Sequence, residues 1–276
     1  MNPARLLRPA VRRLLPEKAR ATIRAAMRRT PAKRLYTEAD DELALIATEL
    51  QKLGSVPWQQ NINPAATAGM TERVIEIPWV ISRYRGERRV LDVGTVWALP
   101  IYSTALAGLG VPELHGVDLV SGQVAGFRMT QADVRALPYA DGSFDLILCI
   151  STLEHIGLDV SGYGGEAQQH KAGDVAAMSE LGRVLAPDGR LLVTVPFGRA
   201  ERLHWLKQYD EPTWDELIRQ TQLEVTEAAH YTYGDVRGWR RAYAPRLPDK
   251  GFQEMGAPNA TGVLCVELKR RTGRAG

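Results

Sequence analysis

Long apolar runs are missing from this 276-residue chain, in which no stretch reaches the roughly 20 consecutive apolar residues that cross a bilayer. Arginines interrupt every apolar stretch near the N-terminus, so a secretory signal is not expected. Cysteine is scarce. Cys149 and Cys265 sit inside Leu-Ile-Leu-Cys-Ile and Val-Leu-Cys-Val, where they read as small buried hydrophobes. That excludes a disulfide framework and a cysteine zinc site, and it points to a reducing, intracellular location. A dinucleotide fingerprint is absent too. The segment Gly94-Thr95-Val96-Trp97-Ala98-Leu99 does not supply Gly-x-Gly-x-x-Gly, which argues against a nucleotide-dependent oxidoreductase.

Charge is unevenly placed. Residues 1–35 hold eleven Lys and Arg against one acid, Glu17, while the remaining 241 residues carry a net −7. An acidic body excludes general nucleic-acid binding by that body. In the arm, Leu6, Leu7, Ala10, Val11, Leu14 and Leu15 recur at helical spacing between arginines, broken by Pro9 and Pro16. Such basic amphipathic stretches suit an anionic membrane surface. The alternatives are a solvated tail or a helix docked on the body. A cytoplasmic protein able to lie at the inner face of the membrane is expected.

After the arm, 36–86 reads as a helical cap. Leu43, Ile46, Ala47, Leu50 and Leu53 make a helix stripe after Thr37, and Pro78 predicts a break within Thr71–Tyr84. From 87 to 270 the pattern alternates between short apolar runs and helices. Strands are expected at 89–93, 114–118, near 127–130, 144–150, 190–195, 223–231 and 262–269, with a loop over 232–261. Pro100 suits the first turn of a helix over 98–109, and Pro187-Asp188-Gly189 reads as a turn. The fold class is α/β: a doubly wound, mostly parallel seven-stranded sheet whose last strand is antiparallel.

Ligands of such sheets bind at the carboxyl ends of the central strands. There lie Asp92, Asp118 (followed by Leu119), Asp133 (followed by Val134), and Ser151-Thr152-Leu153-Glu154-His155. One aspartate alone is more often a turn or cap residue. Polar groups at four successive strand ends instead suit a nucleoside cofactor.

The runs Val90-Leu91-Asp92-Val93-Gly94, Gly116-Val117-Asp118, Asp133-Val134-Arg135-Ala136-Leu137-Pro138, Asp141-Gly142-Ser143-Phe144-Asp145, Leu153-Glu154-His155-Ile156 and Glu180 to Leu192 carry a family resemblance. In order and spacing they resemble the class I S-adenosylmethionine-dependent methyltransferases, in the type 11-like small-molecule branch. The resemblance implies S-adenosyl-L-methionine as cofactor. Asp92 and Gly94 would lie along its methionine part, Asp118 and Leu119 at the ribose, Asp133 and Val134 at the adenine, and Ser151 near the sulfonium. Asp145 reads as structural. The family's usual corner carries further glycines. Here the second is Val96, whose branched side chain resists a positive φ, so another loop path is expected, with Trp97 filling part of the space.

Methyl transfer asks for alignment and, at a hydroxyl acceptor, removal of a proton. His155 is the candidate base, and Glu154 could orient it. Some quinone-modifying relatives hold a metal with such a pair plus an earlier acid. That earlier position is Ser151 here, so no metal is expected. The glycine-rich segment 157–173 is placed as an acceptor lid, with Asp159, Tyr163, Glu166 and His170. His204, Trp205, Tyr209, Tyr231, Tyr233, Trp239 and Arg240 suit either an acceptor face or a plain cap on the core. The expected activity is methylation of an oxygen on a small or lipid-linked acceptor, first a glycan or cell-envelope intermediate. A quinone or secondary metabolite comes next, and a non-catalytic binding protein of the same fold is the alternative. A nucleic-acid acceptor is disfavoured by the acidic body and by the lack of Asn/Asp-Pro-Pro-Tyr after the fourth strand.

Overall fold

The computed structural model describes residues 36–53, 64–161, 172–234, 237–243 and 249–271, so the basic arm lies outside the described residues. Val90-Leu91-Asp92-Val93 belongs to strand β1 (Arg89–Val93), which pairs in parallel with β2 (Glu113–Asp118) on one side and β4 (Phe144–Ile150) on the other. Outward from these lie β3 (Arg128–Gln131) against β2 and β5 (Leu185–Pro196) against β4, again parallel. Strand β10 (Gly262–Arg270) then runs antiparallel between β5 and β8 (Leu223–Tyr233).

The sheet has eight strands where seven were expected. The eighth is β9 (Trp239–Ala242), antiparallel to β8 at the edge, inside the stretch read as a loop. Only Trp239 of its four residues is buried, so no alternation marks it in the sequence. A small ladder of β6 (Glu201–Arg202) and β7 (Lys207–Gln208) stands apart from the sheet.

Both faces of the sheet are covered, which is why its central strands read as continuous apolar runs. Helices α1 (Tyr36–Lys52), α2 (Arg73–Ile81) and α3 (Pro100–Gly108) pack on one face, where Val90, Leu146, Leu148 and Leu192 point. Helices α4 (Gly173–Val184) and α5 (Glu211–Arg219) cover the other, against Leu91, Ile147, Leu191 and Val193. By the two-residue period, Asp92 faces the side of α1–α3 together with Val90.

Two local expectations are corrected. Helix α2 runs unbroken through Pro78, whose missing N–H removes only one bond from a nine-residue helix. Residues Val74 to Ile81 are all buried, so no single face could show in their spacing. Pro187-Asp188-Gly189 does not separate α4 from a strand beginning at 190. It lies within β5, between the pairs Phe144↔Leu185 and Leu146↔Arg190, as an irregularity in the ladder. At the opposite end of the strands, Asp145 pairs with Arg89 at 2.5 Å, a structural role as expected.

Candidate active site

The carboxyl ends of β1, β2 and β4 open into a cavity of about 840 Å³ whose other walls come from α2, the start of α3 and residues 155–160. Gly94 forms its corner with φ 82° and ψ 30°. A Cβ there would lie 2.6 Å from the Thr152 hydroxyl, so both the left-handed backbone and the close approach require glycine. The loop does take another path at Val96. Thr95–Trp97 closes a single 3₁₀ turn, and Val96 is not among the residues with positive φ. The Val96 N–H donates to Asp118 Oδ2 at 2.9 Å, and Thr95 Oγ1 donates to the Asp92 carbonyl at 2.9 Å. The Asp118 carboxylate thus holds the turn where further glycines would otherwise lie. Trp97 is exposed and lines the cavity wall.

Asp92, Leu119, Asp133, Val134 and Ser151 all line this cavity with Gly94 and Asp118. Asp92 is buried. Its Oδ1 accepts from Tyr102 on α3 at 2.6 Å, while Oδ2 has no hydrogen-bond partner among the described residues. Burial pushes its pKa up to about 7, against the opposing bond from Tyr102. Asp118 Oδ1 also accepts from the Val120 N–H at 3.2 Å. Asp133 is clamped by its neighbour Arg135, at 2.5 Å from Nη2, which outweighs its burial and holds its carboxyl below the usual range. Leu119 is one of the exposed large apolar residues, and Val134 packs against the α4–α5 core. Ser151 sits at φ 43°, an uncommon position for a non-glycine residue and one found often at functional sites. Its N–H is held by Thr194, and its hydroxyl donates to Glu76 of α2 at 2.7 Å.

His155 closes a short 3₁₀ turn, Leu153–His155, and lines the cavity. Its Nδ1 lies 2.7 Å from the Trp205 carbonyl, and the two rings stack at 5.5 Å. A carbonyl only accepts, so Nδ1 carries the proton and the neutral ring holds its lone pair on Nε2. Burial, helped by the Arg73 charge, moves the His155 pKa below its ordinary value despite that bond. Glu154 stands 3.9 Å from Nε2, beyond hydrogen-bond reach, and the orienting contact is the Trp205 carbonyl. Burial pushes the Glu154 pKa up to about 8, so it is protonated at neutral pH. Among the described residues no three His, Cys, Asp or Glu side chains converge as metal ligands.

Trp205 is read from the sequence only as part of an acceptor face or a cap, and its carbonyl's bond to His155 escapes that reading, as do two further participants, Arg73 and Glu76. The last two interrupt an otherwise apolar helix, Val-Ile-Glu-Ile-Pro-Trp-Val-Ile after Arg73, and a charge inside such a run was the available signal. Gly157, Leu158 and Val160 of the expected lid reach the cavity, whereas Tyr163, Glu166 and His170 lie outside the described residues. Of the seven residues left open between an acceptor face and a cap, Tyr209, Tyr231, Tyr233 and Trp239 are buried in the core, Trp205 stacks on His155, and none of the seven side chains lines the cavity.

S-adenosylmethionine fits these residues. Its ammonium and sulfonium offer positive charge to a buried carboxylate oxygen that the protein leaves unpaired at Asp92, and its ribose hydroxyls suit the carboxylate of Asp118. Gly94 supplies an open backbone approach.

Residues 91–193 match the family model described as a methyltransferase domain. A curated relative, a demethylmenaquinone methyltransferase of Beutenbergia cavernae, is 27% identical over 202 residues, spanning 68% of this chain and 75% of that protein. Among solved structures, the YcgJ protein of Bacillus subtilis superposes with TM-score 0.47 at 17% identity, over 72% of this chain and 99% of its own. A 1,6-didemethyltoxoflavin-N1-methyltransferase of Burkholderia thailandensis, solved with S-adenosylhomocysteine, gives TM-score 0.45 at 17% identity, over 88% and 92%. Over residues 91–193 the chain is thus similar to a methyltransferase domain, in the segment that carries Asp92, Gly94, Asp118, Asp133, Ser151 and His155.

Proposed function

We propose that the chain transfers a methyl group from S-adenosylmethionine to an oxygen of a small, largely apolar acceptor, with His155 taking the acceptor's proton. The observation that carries this reading is the tautomer of His155: Nδ1 is committed to the Trp205 carbonyl and the neutral ring keeps its basic nitrogen at Nε2. When bound, the cofactor supplies an already activated methyl group. The protein's part is to hold and align. Asp92, Gly94 and Ser151 would hold the methionine part, Asp118 and Leu119 the ribose, and Asp133 and Val134 the adenine. Glu154 contributes by staying protonated, since an ionised carboxylate 3.9 Å from Nε2 would favour imidazolium over the neutral ring.

Ile77, Leu99, Ile156, Leu158 and Val160 also line the cavity, and none of them is among the expected cofactor positions. An apolar wall of this kind favours a quinone-like or secondary-metabolite acceptor over a glycan, whose many hydroxyls would each need a partner. The name of the Beutenbergia relative supports the same class. The eleven basic residues of 1–35 support delivery to an anionic membrane surface, where a lipid-linked acceptor would reside.

Calorimetric titration with S-adenosylmethionine, followed by transfer of labelled methyl to a panel of hydroxylated naphthalenes and quinols, tests the proposal. No binding at millimolar cofactor would sink it. Loss of cosedimentation with anionic vesicles on removing 1–35 is the matching test for the arm.

A further inference from the structure

Arg73 is the one charged side chain of α2 that reaches the cavity, with 28% of it accessible. Its guanidinium is fixed from behind. One amine donates to the buried carboxylate of Glu76, and Nη2 lies 4.0 Å from Glu72 Oε1. Those carboxylates are themselves held, Glu76 by the Ser151 hydroxyl at 2.7 Å and Glu72 by Asn259 Nδ2 at 2.5 Å and the Ala260 N–H at 3.2 Å. A guanidinium has five donors in a rigid fork, and the Glu76 bond uses one of them. The other donors of a side chain pinned in this way are available to whatever fills the cavity beside it.

Charge sharpens the chemistry. One guanidinium with two carboxylates behind it presents direction rather than net positive field. An acceptor carboxylate or phosphate placed there would meet Glu72 and Glu76 as well as Arg73. An uncharged hydroxyl or carbonyl oxygen accepts from the fork without that repulsion. Arg73 and His155 line the same cavity, so one molecule can reach both.

We infer that Arg73 reads a second, uncharged oxygen on the acceptor, so that the substrate class is an apolar ring bearing two oxygens, one presented to His155 and the other held by Arg73. This assignment of a specificity residue rests on the methyl-transfer reading above.

Three probes share one ring: 2-naphthol, 2,3-dihydroxynaphthalene and 3-hydroxy-2-naphthoate. Their binding to the full chain is measured by calorimetry with and without S-adenosylhomocysteine. The dihydroxy probe is expected to bind about tenfold tighter than 2-naphthol, the worth of one added hydrogen bond to a charged donor. The naphthoate is expected to bind worst. Arg73→Lys is expected to erase the preference while leaving S-adenosylhomocysteine affinity unchanged. The double variant Arg73→Met, Glu76→Gln removes the fork together with the carboxylate charge bonded to it and is expected to erase the probe preference as well; only the preference is read from it, because Glu76 also holds Ser151 on the cofactor side. Tightest binding of the naphthoate, no binding of any probe, or a preference that survives both variants overturns the assignment. Absence of S-adenosylhomocysteine binding with the probe preference intact overturns the methyl-transfer reading instead.

Discussion

Replacing Glu154 by Gln should make the protein more stable, and only on the alkaline side. Glu154 is 2% exposed, its Oε2 has no hydrogen-bond partner among the described residues, and burial raises its pKa from 4.5 to about 8. Between those values the folded state keeps a proton that the unfolded state has released, so stability falls as pH rises through that window. Each pKa unit is worth about 1.4 kcal/mol, so the carboxyl costs under about 1 kcal/mol at pH 5, about 3 at pH 7 and about 4 at pH 8. Gln mimics the protonated form at every pH and leaves the same unpartnered position, which adds only a pH-independent offset. Urea unfolding followed by tryptophan fluorescence at pH 5, 7 and 8 measures the difference. Wild type and Glu154→Gln should nearly coincide at pH 5 apart from that offset, then diverge by several kcal/mol in favour of the variant, or roughly 10 °C in Tm. Parallel curves across pH 5 to 8 would show that Glu154 ionises freely in the fold, and the protonated Glu154 claimed beside His155 would be wrong.

His155→Ala is expected to lower kcat by about 10²–10⁴ with cofactor affinity unchanged, and a hydroxyl acceptor turned over at near wild-type rate would remove the base assignment. Because burial moves the His155 pKa below 6.5, the acid limb of kcat at saturating cofactor that His155→Ala removes should lie below pH 6.5, apart from the titrations of Asp92 near 7 and Glu154 near 8; a His155-dependent limb centred above pH 7 would contradict the environment described. Gly94→Ala combines a left-handed backbone with a Cβ 2.6 Å from the Thr152 hydroxyl, so calorimetry should show cofactor binding lost and thermal melts a stability cost of about 1–3 kcal/mol. Asp118→Ala releases the Val96 and Val120 N–H groups together with the expected ribose partner, and cofactor Kd should rise by about a hundredfold; an unchanged Kd would mean the turn and the ligand are independent.

The parallel strands were legible because burial on both faces leaves continuous apolar runs, as in Phe144–Ile150, and the acids that follow them mark the ligand end of the sheet. Asp92, Asp118, Asp133, Ser151 and His155 could be found for that reason: each follows from its own strand. Trp205 could not, because its part is played by a backbone carbonyl fifty residues from His155, and a carbonyl has no sequence signature. Glu76 meets Ser151 across 75 residues, a pairing set by how α2 docks and by no local period. Strand β9 escaped because an edge strand with one buried side chain resembles a loop, and the continuity of α2 escaped because Pro78 suggests a break that burial overrides.

The docking of α2 also bears on how such a protein can change its substrate. The groups expected to hold the cofactor are written between Asp92 and Ser151, inside the segment that matches the methyltransferase family, whereas Arg73 and Ile77 on the acceptor wall precede it. Arg73 and Ile77 thus join Leu99, Ile156, Leu158 and Val160 of the matched segment around the cavity, and α2 meets the expected cofactor side at the Ser151–Glu76 hydrogen bond. Exchange of the segment before β1 could redirect the chemistry to a new molecule while leaving the methyl supply intact, provided the newcomer offers a carboxylate to Ser151.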